Sequence, residues 1–222
     1  MSLQILPVAG LGATVIGIST TCPFVLASAS SRRKELLASA GVAFQVVPPP
    51  IAEPVDELHL ASPAQQAEAL AFFKARTVSE MCPGSWVLAA DTLVVLEGRI
   101  LGKPANEAEA RDMLQELSGS RHAVITGVAL LSPAGERLIA SEATYVTMRK
   151  MSDAEIDEYI GSGEWVDKAG AYAIQETADR FVEGIDGSFT NVVGLPMELV
   201  GQMLKRVGHA AESEQPPEHR TG

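Results

Sequence analysis

The stretch Trp86–Pro104, WVLAADTLVVLEGRILGKP, sets an acid at the end of an apolar run and a lysine just past the next turn. Trp86 to Ala90 reads as a buried strand ended by Asp91, and Leu93 to Leu96 is a second apolar run. Glu97-Gly98 is a turn signal, Arg99 to Leu101 runs back, and Gly102-Lys103-Pro104 closes the unit. An acid at the end of a buried strand is costly unless water, a metal or a hydrogen-bond partner meets it. The hairpin returns Lys103 toward that acid, and a carboxylate beside an ammonium suits a phosphate with its divalent cation. A strand-end Asp capping a turn is the bland alternative, and for a lone Asp it would be preferred. Other segments weigh against it.

The chain has 222 residues, enough for one large domain or one with two lobes. Its formal charge of −11 speaks against sequence-independent nucleic-acid binding, which needs a basic face. An acidic protein still binds a small polyanion if it gathers a few Arg and Lys locally. Cys22 and Cys82 have no ligand-like spacing, which fits a reducing cytoplasm rather than a zinc site or a disulfide framework. The histidines do not cluster in the sequence. Residues 1–22 carry no Lys or Arg and are interrupted by Pro7 and several glycines, so neither a signal peptide nor a membrane span is expected. They are expected to form a flexible extension, residues 23–208 a single domain, and the polar, Pro-containing residues 209–222 a disordered tail.

Phe24–Ala27 reads as a short strand running through Ser28-Ala29-Ser30-Ser31 into Arg32-Arg33-Lys34 and a helix. A strand leading through small hydroxyl residues to a helix N-terminus is a ready anion site. Arginines in a first helical turn run against the helix dipole, and a phosphate would offset that. A solvated basic turn capped by Ser31 carries comparable weight for this segment alone. Val42–Val47 reads as a second strand, followed by Pro48-Pro49-Pro50 and a loop with Glu53, Asp56 and Glu57. Ser62-Pro63 with Gln65 opens a long helix that carries Lys74.

Further helices are predicted after Asn106, after Ser152 and from Pro196. Strands are predicted over Ala123–Leu131, interrupted at Thr126-Gly127, over Leu138–Met148 and over Phe181–Ile185. The segment Gly163–Gln175 breaks any single period and reads as a shaped loop with a short strand. Hairpins in the middle of an alternating pattern predict an α/β fold with a mixed sheet and helices on both faces. No GxGxxG, Walker A or GxSxG motif is present.

Taken together, SASSRRKELL, AADTLVVLEGRILGKP, LSGSRHAVITGVAL, DKAGAYAIQ and IDGSFTNVVGLP resemble the Maf (septum formation) family of nucleoside triphosphate pyrophosphatases. Each motif alone is weak; five in order are specific. The resemblance implies two lobes around a deep cleft, similar to inosine triphosphate pyrophosphatases. It implies cleavage of a nucleoside triphosphate between its α- and β-phosphates, with a divalent metal cation (Mg or Mn). Carried over by position, Ser28, Ser30, Arg32 and Arg33 would bind phosphate, Lys74 and Lys103 would neutralise it, and Gln175 would face the base or order the site. Asp91 would be the central catalytic acid, with Glu53 as the second acid and metal ligand. The family usually has proline where this chain has Ser31, which implies a looser turn.

The wording WVDKAGAYAIQ is similar to that of the branch acting on dTTP and UTP; another branch prefers 7-methyl-GTP. A cytoplasmic enzyme that cleans the nucleotide pool is expected, and a homodimer would suit such a cleft. The alternatives are the same chemistry on CTP or modified purine nucleotides, or a nucleotide-binding regulator of septation without turnover.

Overall fold

A computed structural model of the chain describes residues 23–50, 62–175 and 177–213. Strands β1 (Phe24–Leu26), β2 (Gln45–Val46), β3 (Trp86–Leu96), β4 (Arg99–Leu101), β5 (Arg121–Leu131), β6 (Arg137–Met148) and β7 (Val182–Asp186) form one mixed sheet. Its order is β2-β1-β3-β5-β6-β7, with β4 also paired to β3. Helices α1 (Ser31–Ser39), α2 (Pro63–Met81), α3 (Glu107–Leu117), α4 (Asp153–Ser162), α5 (Phe189–Val193) and α6 (Met197–Ser213) flank it. No described helix is long and apolar enough to cross a membrane.

Local chemistry accounts for the helix starts. Ser62 and Ser152 each accept from the backbone N–H three residues on, while Gln65 and Glu155 reach back to the cap. Asn106 caps α3, accepting from Glu109 N–H, and the Glu109 carboxylate accepts from Ala105 N–H. Helix α6 continues to Ser213, past residue 209, where the sequence suggests a disordered tail. The expected flexible extension lies outside the described residues, as does the rest of that tail.

Two strands differ from expectation in a way that matters. Asp91 does not end a strand: β3 runs unbroken from Trp86 to Leu96, with Asp91 at its centre opposite Gly127 of β5. Strand β5 is likewise continuous through Thr126-Gly127. Sequence reading breaks both strands because Asp and Gly are poor strand formers, but pairing along the full length of each overrides that preference. The Gly163–Gln175 segment holds turns and a 3₁₀ turn at Ala169–Ala171 instead of a strand.

Alternation along β3 sorts the core. Val87 and Ala89 pack under α2 with Ala71, Ala75 and Val78. Leu88 and Ala90 turn to the opposite face, in a cluster with Leu37 of α1 and Val200 and Leu204 of α6. Further along, Val94 joins a third cluster with α3, α4 and Phe181. The lobes implied by the resemblance are thus two ends of one sheet.

Candidate active site

On its edge away from β5, β3 is covered by parallel β1 only at Trp86–Leu88 and by antiparallel β4 only at Val94–Leu96. Between those two pairings the edge carries no strand among the described residues, and Asp91 lies at the centre of that bare stretch. The period of two then decides which way each side chain goes. Asp91 shares a face with Val87 and Ala89, toward α2; Thr92 shares a face with Leu88 and Ala90, toward α1.

The contacts follow that alternation. Lys74 Nζ of α2 donates to Asp91 Oδ1 at 2.5 Å, and the side chains are only 12% and 9% exposed. A charge this well buried requires a partner, and Lys74 supplies one. The resemblance assigns Lys74 to the phosphates; the structure pairs it directly with Asp91. Helix α2 can reach Asp91 because Gly127, opposite it, has no side chain. A Cβ there would lie 2.2 Å from the Ala67 carbonyl carbon and 2.4 Å from Glu68 N. Ala67 and Lys74 are two turns apart on α2, so the glycine contact sets the height of the lysine above the sheet.

On the other face, β1 passes through buried Ser28 into α1. Ser30, not Ser31, is the cap: its Oγ accepts from Arg33 N–H at 3.4 Å. Ser28 Oγ accepts from Ser30 N–H at 3.1 Å and firms the turn. The helix therefore begins normally with Ser31 at the position where the family usually has proline. Arg33 does more than bear a charge. Its Nε donates to Gly194 O at 2.7 Å and its Nη2 to Thr92 Oγ1 at 3.1 Å, tying α1 to β3 and to the α5–α6 junction. Thr92 Oγ1 is also 2.9 Å from Thr126 Oγ1, which donates to Asn191 O. Buried Asn191 in turn donates to Val124 O and Thr144 Oγ1.

These elements enclose a cleft of about 730 Å³. Ser30, Arg32, Arg33, Lys74, Asp91, Lys103 and Gln175 all line it. Ser28 acts from behind through Arg33 and Ser30. Glu53 lies outside the described residues. The cleft adds Gln66, Thr92, Asp167, Lys168 and Tyr172, which sequence reading did not assign to the site. Thr92 had a signal, since a residue that follows an inward acid on a strand must face the other way. Gln66 lies two helical turns before Lys74 but had no chemistry of its own to mark it.

Phosphate recognition suits one end of this cleft, where a helix N-terminus and Arg32 lie beside the Asp91–Lys74 pair. Among the described residues no group of three or more His, Cys, Asp or Glu comes together. Asp91 is a hard oxygen donor, and Mg²⁺ is commonly held through one or two carboxylates with substrate phosphates and water completing its shell. The donor chemistry therefore fits a cation that is shared with a nucleotide.

One wall of the cleft is a strained loop. Asp167 (φ 59°) and Ala171 (φ 62°) have left-handed backbone without being glycine, at a cost of about 1 kcal/mol each. Gly170 (φ 67°) lies so close to β3 that an added Cβ would meet Val94 Cγ1 at 3.0 Å, and its N–H donates to Gly102 O. Tyr172 follows directly, and its hydroxyl meets His122 Nε2 of β5 at 2.7 Å. Burial lowers the His122 pKa to about 4 and raises that of Tyr172, so both are neutral at pH 7.

The His122 shift has a sign that can be tested. The unfolded imidazole takes up its proton near pH 6.5, whereas the folded one does so only near 4. Acid therefore favours the unfolded chain across that window: the contribution is complete above pH 6.5 and lost as pH falls toward 4. Urea titrations from pH 7 to 4 are expected to show a steeper loss of stability in wild type than in His122→Gln, by about 3 kcal/mol across the window. Parallel curves would refute a neutral buried imidazole.

The family model described as Maf-like protein matches residues 23–207. The dTTP/UTP pyrophosphatase of Symbiobacterium thermophilum is 48% identical over 185 residues, covering 83% of this chain and 94% of that protein. The dTTP/UTP pyrophosphatase of a Geobacillus species is 47% identical over 184 residues, with 83% and 97% covered. Among solved structures, the Staphylococcus aureus Ham1 protein aligns at 14% identity with a TM-score of 0.49, covering 83% of this chain and 99% of that one. That last likeness is too loose to bear on the site. With a family match over most of its length and relatives near half-identical, the chain belongs to the Maf-like protein family.

Proposed function

We propose that this protein hydrolyses nucleoside triphosphates, dTTP and UTP foremost, to the monophosphate and pyrophosphate. The observation that carries this reading is Asp91 on the bare stretch of β3, paired with Lys74 and sharing one cleft with the basic turn of α1. The names of the relatives support both the reaction and the substrates.

The triphosphate lies with its charge toward the N-terminus of α1, Arg32 and Lys103, because a tetra-anion needs several cations to enter. Water attacks phosphorus at the α–β anhydride, its proton passes to Asp91, and the bond to pyrophosphate breaks. A divalent cation, Mg or Mn, would neutralise charge on the transferring phosphates. Asp91 would hold it, with Glu53 as the second ligand. Lys74 steadies the Asp91 carboxylate in its buried position. The nucleoside lies along the apolar wall of Val94, Leu101 and Val124. The amide of Gln175 offers a donor and an acceptor to a pyrimidine edge.

A panel of common and modified nucleotides with Mg²⁺ or Mn²⁺, resolving pyrophosphate from orthophosphate, tests the reading. Pyrophosphate with dTTP and UTP leading is the expected result. Orthophosphate, or tight binding without turnover, would overturn it; pyrophosphate chiefly from CTP or a modified purine would move the base assignment alone.

A further inference from the structure

His122 is a buried titratable side chain for which the reaction has no use. It is 1% exposed on β5, against Tyr172 of the α3–α4 cluster. One ring nitrogen meets the Tyr172 hydroxyl, while Nδ1 is buried with no hydrogen-bond partner among the described residues. A buried polar atom left unpaired is a standing cost that an apolar residue at this position would avoid. What the imidazole provides is one hydrogen bond and an edge-on ring contact, with centroids 5.5 Å apart.

The other end of that bond gives it meaning. Tyr172 immediately follows Gly170 and Ala171, both left-handed, with Ala171 wholly buried and unable to relax outward. Strained backbone persists only where its surroundings over-determine it. Here the fixings are the Gly170 N–H to Gly102 O bond on one side and the His122–Tyr172 bond on the other. Past Tyr172 the chain has three residues to Gln175, and all of them line the cleft.

We propose that His122 is a positioning residue for substrate recognition: through Tyr172 it latches the strained loop that presents Ala173, Ile174 and Gln175 to the nucleotide. The inference rests on the proposed pyrophosphatase reading for its kinetic test, but the latch itself is open to a measurement without nucleotide. Loss of the latch frees the loop, so affinity falls while the chemistry at Asp91, carried by β3 and α2, is left nearly unchanged.

Tyr172→Phe removes one oxygen atom and keeps the ring, so it folds; His122→Phe removes the other partner. Each is expected to raise KM for dTTP about tenfold with kcat within about threefold, since one net hydrogen bond is worth about that factor. The double variant should be no worse than either single one. His122→Gln, whose amide reaches the same point, should restore KM. In the absence of nucleotide, trypsin should cut after Lys168 about tenfold faster in both single variants than in wild type. An unchanged KM and an unchanged cleavage rate in Tyr172→Phe would overturn the inference, as would a His122→Gln protein that is folded but not rescued. Wild-type protein that releases no pyrophosphate from any nucleotide would instead overturn the functional reading, and the trypsin comparison would then decide the latch alone.

Discussion

Asp91→Asn is expected to fold, to bind nucleotide and to release pyrophosphate about 10³-fold more slowly or worse. The amide keeps the shape of the carboxylate and keeps an oxygen for Lys74 Nζ, which now lies 2.5 Å from Oδ1. What it loses is the negative charge needed to take a proton from water or to hold a hard cation. Stability should fall by no more than about 2 kcal/mol, because the lysine keeps a hydrogen bond to the amide oxygen although the Asp91 charge is gone. Single-turnover release of pyrophosphate, beside nucleotide affinity by calorimetry, separates the two losses. A variant that retains near-full turnover would remove Asp91 from the chemistry.

Gly127→Ala is expected to damage fold and activity together, although the residue touches no substrate. The added methyl would lie within 2.4 Å of backbone atoms of Ala67 and Glu68, which cannot rotate away as a side chain would. Helix α2 must then rise from the sheet, at a cost of about 3 kcal/mol, seen as a fall in melting temperature of about 10 °C. Lys74 rides on that helix, so kcat/KM of the folded fraction should drop more than tenfold as the Asp91 pair is pulled apart. A melting temperature within a degree of wild type would show that the contact yields easily.

The site was legible in the sequence as a set of residues, less so as an arrangement. Arg32, Arg33, Asp91 and Lys103 stand out because charged residues interrupt apolar runs there, Lys74 and Gln175 enter only through the family resemblance, and the cleft brings all six together. The mixed sheet was legible from helices that alternate with hairpins. Hidden were facts of pairing. Asp91 looks like a strand end because an isolated run of five apolar residues stops there, yet continuous pairing to β5 carries the strand through it. Gly127 looks like an interruption because its reason lies on a helix some sixty residues earlier in the chain. His122 carried no signal, since its partner Tyr172 is fifty residues away. Local patterns report what a residue is suited to do; long-range pairing decides which neighbour it meets.

The strands that carry the site also belong to both ends of the molecule. On β3, Leu88 and Ala90 lie in the cluster with α1 and α6 while Val94 lies in the one with α3 and α4, and β5 is divided in the same way by Val128 and Val124. A cut between the lobes would therefore pass through the middle of both central strands and leave each half with a frayed sheet. Neither lobe is expected to fold when expressed by itself. The cleft is a seam within one sheet rather than a joint between two.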